Sequence, residues 1–281
     1  MSKFGGKWTK QKIDIVESYS KAYLTIMKKR KYWKLMYFDG FAGTGEINTE
    51  NGDYEIIEGT AQRILTIDSP RSFDMYYFVE LDCERAKKLE KMISTNFPQK
   101  KQVFIRSEDC NKKLIDLADF LNSAKGKNYK VLAFIDPYGM ELNWSSLEVL
   151  KGLGIDLWIL VPTGIGANRL LKKDGNISYA WLKRLENFLG ITEEQIMNKF
   201  YQKVQNSTLF GIEEVIKKES DTINKIHELY KTRLKGIFNF VSESFVMRNS
   251  KYSIMFHFFM ATNNITALKI ANDIIKPKYK L

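Results

Sequence analysis

Five short apolar runs divide the first half of the chain, and each stops at an acid or a proline–glycine turn. They cover residues 35–38, 75–79, 103–105, 130–135 and 156–161. Their ends are Asp39 with a glycine turn, Glu80, Ser107-Glu108-Asp109, Asp136-Pro137-Tyr138-Gly139 and Pro162-Thr163-Gly164. Runs that are apolar at nearly every position are those of strands buried on both faces, which is how parallel sheets read. Helical stretches are expected between them, at 60–67, 85–94, 114–121 and 147–150. Strands alternating with helices give an α/β fold with a mostly parallel, Rossmann-like sheet wound in right-handed units. Parallel strands share one carboxyl edge, and open α/β sheets bind ligands there.

The turn after the first run, residues 37–45, is the centre of that edge. Gly43 and Gly45 can take positive φ and admit a ligand close to the backbone. A lone G-x-G is also an ordinary turn, so its neighbours decide. Glu80 after the second strand is placed to accept both hydroxyls of a ribose, and an ionised acceptor makes the stronger kind of hydrogen bond. Asp109 after the third is placed for an adenine amino group, or else caps the helix that follows. Phe41 lies under the methionine part of a cofactor or belongs to the core. Together with Asp39, this order of acids and glycines suits S-adenosylmethionine (SAM). A nicotinamide dinucleotide wants its acid ~20 residues past the glycines and a third glycine opening a helix under a pyrophosphate. Here a long polar loop intervenes before Glu80, and no such glycine is present.

Asp136, Pro137 and Tyr138 are the candidate catalytic residues. A rigid Asp-Pro fixes a carboxylate and a carbonyl at the rim, and the tyrosine offers a stacking face to a flat acceptor. Such a set orients an amine for in-line methyl transfer by positioning. The plain alternative is an Asp-Pro turn entering a loop.

Net charge is +11, with 44 Lys and Arg against 33 Asp and Glu. That favours an anionic partner, nucleic acid first, although an AT-rich genome, which inflates Lys, Asn and Ile, gives the same bias. With 44% hydrophobic residues the chain can bury a core. Cys83 and Cys110 lack metal or redox spacing, and without a signal peptide a cytoplasmic location is expected. His227 and His257 are too few and too distant in sequence to suggest zinc. No apolar run reaches the ~18 residues of a membrane span.

Before the sheet, Thr9 is expected to cap a helix running to about residue 29, whose basic end suits a helix C-terminus. Residues 46–58 read as a polar loop with a turn at Asn51-Gly52. Residues 1–166 form the sheet core. Residues 167–236 read as a helical insertion, with helices at 180–189, 212–218 and 220–234 and a capping box opening another at Thr192. Arg169, Lys172, Lys173, Lys183 and Arg184 are its candidates for phosphate contact, or else a solvated basic face. Residues 237–281 complete the core with an antiparallel hairpin, at 244–247 and 253–261, and a helix at 265–275.

Phe41-Ala42-Gly43-Thr44-Gly45 resembles the F-x-G-x-G motif of class I methyltransferases that act on nucleobase amino groups. Asp136-Pro137-Tyr138-Gly139 resembles their D-P-P-Y motif with one proline lost. A longer set is similar to the three-Cys-motif partner family: Trp8-Thr9 with a Lys-rich first helix, the turn at 37–45, the acidic strand end at 78–82, Asp136 to Gly139, and the closing strand and helix between 252 and 275. The resemblance implies a class I methyltransferase fold binding SAM. It also implies a separate partner protein with a three-cysteine, radical-SAM-like motif. Two functions follow as expectations: methyl transfer to an amino group of a nucleic acid or nucleotide, or an accessory role beside that partner without chemistry. A nicotinamide oxidoreductase is the weaker third.

Overall fold

The computed structural model describes residues 7–44, 46–48, 56–208 and 211–277. In chain order its elements are α1 (Lys7–Met27), β1 (Lys34–Asp39), β2 (Glu46–Asn48), β3 (Ile56–Glu58), α2 (Thr60–Leu65), β4 (Met75–Val79), α3 (Cys83–Asn96) and β5 (Val103–Arg106). Then come α4 (Cys110–Asn122), β6 (Tyr129–Ile135), α5 (Trp144–Glu148), β7 (Ile155–Val161), a π-helical turn (Thr163–Ala167) and α6 (Asn168–Leu170). The rest is α7 (Tyr179–Leu189), α8 (Glu193–Phe200), β8 (Tyr201–Thr208), β9 (Gly211–Lys218), α9 (Thr222–Leu234), β10 (Phe240–Val241), β11 (Phe245–Arg248), β12 (Ile254–Thr262) and α10 (Ile265–Ile275).

The main sheet runs β5-β4-β1-β6-β7-β12, with β10 and β11 both pairing with β12 at the edge. The pairs among β5, β4, β1, β6 and β7 are parallel. β12 is antiparallel to β7. This is a Rossmann-like sheet, mostly parallel with an antiparallel edge. β1 lies between the half wound outward through β4 and the half wound outward through β6. The switch point is therefore at the carboxyl end of β1.

Each face of the sheet carries its own apolar layer. One holds α1, α2, α3 and α10 against Leu35, Tyr37, Phe78, Leu132, Phe134 and Phe258. The other holds α4, α5, α7, α8 and α9 against Phe38, Ala133, Ile135, Ile159 and Phe259. The helices of the 167–236 segment thus contribute Leu185, Phe188, Phe200 and Tyr230 to the same buried layer as the sheet. Alternate residues of β1 and β6 feed opposite layers, as the period of a strand requires.

Three local expectations are corrected. Thr9 does not cap α1, which begins at Lys7; Thr9 is buried inside the helix. The polar stretch 46–58 holds the ribbon β2–β3, with Glu46 opposite Glu58 and Ile47 opposite Ile57; the Asn51-Gly52 turn lies outside the described residues. Residues 212–218 are strand, not helix: β9 pairs with β8 along its length, Val204 opposite Val215. Ile212, Val215 and Ile216 are spaced like a helical stripe. An eight-residue helix is marginal alone, whereas antiparallel pairing satisfies every second backbone group.

Candidate active site at the carboxyl edge of the sheet

Register brings the predicted acids to one rim. Asp39 stands opposite Phe78 of β4 and opposite Phe134 of β6. Glu80 and Asp136 therefore project two residues beyond the same level, on the two strands flanking β1. At ~4.8 Å per strand they are separated by roughly 10 Å. Just past Asp39 the chain changes partner. The Gly40 amide donates to Phe134 O at 2.9 Å, and the Ala42 amide donates to Val79 O at 2.9 Å. A Cβ on Gly40 would sit 2.6 Å from both Cys110 Sγ and Ile135 Cδ1, so the strand end needs a glycine to pack. Gly43 has open space around it but a φ of +63°, which glycine takes without strain. Gly45 lies outside the described residues.

Glu80 is 8% exposed, and among the described residues backbone amides hold its carboxylate. Its Oε2 accepts from the Gly43 amide and its Oε1 from the Asp82 amide, both at 3.0 Å. Two oxygens with one amide each keep lone pairs free for a ligand. The glycine turn and the acid are therefore one unit.

Asp39 is 1% exposed. Burial pushes its carboxyl up to about 7, with the nearby Asp136 adding to the rise; the Phe41 amide at 3.2 Å and the ammonium of Lys12 pull the other way. The Tyr37 hydroxyl donates to its second oxygen at 3.4 Å.

Asp136 is paired with Lys12 of α1, a contact that sequence reasoning missed. The Lys12 side chain is 7% exposed. Its Nζ lies 6.0 Å from the ring centres of Trp8 and Phe134, so aromatic faces line the pair. The signal was present: Thr9, Lys12, Val16, Tyr19 and Tyr23 fall on one helical stripe, and a lysine on a buried stripe needs a partner.

Pro137 is buried and Tyr138 is 62% exposed. The Arg85 guanidinium, on α3, lies 5.6 Å from the Tyr138 ring, and its Nη1 is 3.4 Å from the hydroxyl. The Tyr138 amide donates to Glu141 Oε2 at 3.2 Å. Asp109 is the N-cap of α4: its Oδ1 accepts from the Asn111 and Lys112 amides. Asn111 then donates to Glu141 O at 2.9 Å, tying α4 to the loop that carries Tyr138. Phe41 is half-buried against the α4 layer.

The basic residues of the 167–236 segment divide. Lys183 pairs with Glu186, and Lys172 sits 4.5 Å over the Trp181 ring. Arg184 reaches the active-site loop: its Nη2 lies 3.7 Å from where a Cβ on Gly139 would be. His227 and His257, distant in sequence, stack with centroids 4.0 Å apart behind the π-helical turn, where Thr163 Oγ1 meets His257 Nδ1 at 2.8 Å. No group of three or more metal-ligating side chains occurs among the described residues. Among the described residues, no helix is long and apolar enough to cross a membrane.

No family model matches the chain, and no curated protein matches it. Solved structures do resemble it. Trm1 from Pyrococcus horikoshii, determined with S-adenosyl-L-methionine, is 10% identical with a TM-score of 0.40, over 97% of this chain and 72% of its own. Protein LPL1258 from Legionella pneumophila is 14% identical with a TM-score of 0.40, over 80% and 92%. The methyltransferase domain of bacterial CtHen1 is 10% identical with a TM-score of 0.39, over 88% and 99%. At these scores no activity passes from those proteins to this chain.

Proposed function

We propose that the chain is a SAM-dependent methyltransferase acting on an amino group of a nucleic acid or nucleotide. One observation carries the reading: Glu80 and the Gly43 turn are locked together at the switch point, beside Asp39 and Asp136. The buried, backbone-held carboxylate of Glu80 fits a pair of ribose hydroxyls, and the left-handed Gly43 leaves room above the backbone. Bound there, SAM supplies an electrophilic methyl group. Phe41, half-buried at the same turn, would pack against the methionine part of the cofactor. Asp109 offers its second carboxylate oxygen toward an adenine amino group while its first caps α4.

At the acceptor side, Asp136 and the carbonyl before Pro137 accept hydrogen bonds from an amine and aim its lone pair. Lys12 fixes the direction of the Asp136 carboxylate. Tyr138, exposed and backed by Arg85, stacks on a flat acceptor. Asp39 holds its proton at the floor of the site near neutrality, and a cation arriving above it favours release of that proton.

The test is transfer of a tritiated methyl group from SAM to bulk RNA, DNA or nucleotides. Transfer that Asp136→Asn abolishes while SAM affinity persists supports the reading. SAM binding with no transfer to any of them removes the nucleic-acid acceptor. The accessory reading, with a three-cysteine partner, rests on motif resemblance; there Asp136 is only the ion-pair partner of Lys12, and its substitution leaves no turnover to lose.

A further inference from the structure

The opposite edge of the sheet carries a surface that the proposed chemistry does not use. α1 ends at Met27, and the chain then runs Lys28-Lys29-Arg30-Lys31-Tyr32-Trp33-Lys34 into β1. A helix dipole favours cations in the turn beside the C-terminus. It does not account for a run that continues to Lys34, nor for Tyr32, which is 66% exposed. Among the described residues, Lys28, Lys29, Arg30, Lys31, Lys34 and Lys130 take part in none of the ion pairs with carboxylates. Arg71, by contrast, is tied to Asp74 at 2.8 Å.

Of these cations, Arg30 and Lys130 line a cleft of about 850 Å³ at the amino ends of β1, β6 and β7, whose walls also include Tyr23, Tyr32, Trp33 and Phe240. Tyr32 and Trp33 lie with centroids 5.1 Å apart, and Lys130 Nζ stands 4.4 Å over the Trp33 ring. The Tyr23 hydroxyl is buried with no partner among the described residues. Among the described residues, the carboxylate lining the cleft is Asp156. It is half-buried and satisfied, accepting from Tyr19 Oη at 2.7 Å and Thr262 Oγ1 at 2.5 Å. Desolvation raises its pKa, while the Thr262 and Tyr19 hydroxyls and the nearby Lys130 ammonium pull it back. A second cavity, of about 350 Å³, is lined by Lys28, Lys31, Pro70 and Arg71.

Cations without carboxylate ion pairs among the described residues, beside the exposed Tyr32 and the half-buried Trp33, fit one polymer best. Phosphates meet the cations, and unstacked bases meet the rings. We propose that the basic end of α1, with Tyr32, Trp33 and Lys130, is a binding surface for single-stranded nucleic acid. It anchors a strand away from the chemistry: from Lys130 to Asp136, β6 spans roughly 20 Å. The proposal extends the methyltransferase reading by giving a nucleic-acid acceptor a second contact. Binding there needs neither cofactor nor turnover, so failure of the two can be told apart.

The test is fluorescence anisotropy of a short labelled single-stranded RNA titrated with the full chain across a range of salt. Wild type binds, and its affinity falls as salt rises. The combined Lys28→Ala, Arg30→Ala, Lys31→Ala variant has a flatter log–log slope, by about 0.7 for each phosphate it no longer neutralises. Tyr32→Ala binds about fivefold or more weakly with its slope unchanged, because a ring carries stacking and not charge. All four side chains are exposed, so the variants keep the fold, which an unchanged circular dichroism melt verifies. The proposal is overturned if the triple variant matches wild type in affinity and slope. It is overturned equally if Tyr32→Ala binds within about twofold of wild type, or if polyphosphate displaces the RNA as well as unlabelled RNA does.

Discussion

At the scale of single residues, two buried titratable groups oppose each other. Asp39 ionises near 7 in the fold against an ordinary 3.8. Between those values the unfolded chain has lost that proton and the folded chain keeps it, so this group makes stability fall as pH rises. His257 is pushed down to about 3 by burial and by the stacked His227. From 6.5 downward the unfolded chain gains a proton that the folded chain refuses, so this group makes stability fall as pH drops. Urea unfolding across pH 4 to 7 should therefore separate them. Asp39→Asn steepens the rise of stability with pH, and His257→Gln turns it toward a decline. The same slope in both variants and wild type would contradict these assignments. The Lys12–Asp136 pair makes a second prediction. Lys12→Met leaves Asp136 without its partner, and Asp136→Asn leaves a buried ammonium; each is expected to cost about 3 kcal/mol. Combining the two should recover most of that loss, and additive losses in urea would show that the pair is not coupled.

At the scale of elements, local chemistry decided what could be read from the chain. The capping box at Thr192 forms as expected, with Gln195 returning the bond to the Thr192 amide at 3.0 Å. Thr192→Ala should lower stability by about 1 kcal/mol, read as a shift in the urea midpoint without a change in slope. An unchanged midpoint would mean that α8 is held by Ile196 and Phe200 alone. β1, β6 and β7 were legible because burial on both faces leaves them mostly apolar, β4 and the half-buried β5 because their short runs are also mostly apolar, and α10 because Pro277 ends it. The ribbon β2–β3 and the hairpin β8–β9 were not. Their strands are stabilised by pairing with each other, and a mainly polar sequence with isoleucines at helical spacing carries no strand period.

At the scale of the whole molecule, the sheet order decides which acids meet. Glu80, Asp39 and Asp136 could be assigned to one rim from sequence because consecutive parallel strands share a carboxyl edge. Lys12 could not, since it arrives from a helix packed across the sheet, and nothing local in the sequence names its partner. Asp109 shows the converse: its local role as a cap was readable, and the structure shows it capping α4. The account as a whole depends on a cofactor resting on Glu80 beside the glycine turn. Calorimetric titration of the full chain with S-adenosylmethionine, and separately with NAD, tests that most directly. The account predicts one SAM bound per chain, an affinity at least about tenfold weaker in Glu80→Gln, and little change in Asp136→Asn. Binding of NAD with no binding of SAM, or SAM affinity indifferent to Glu80, would contradict it.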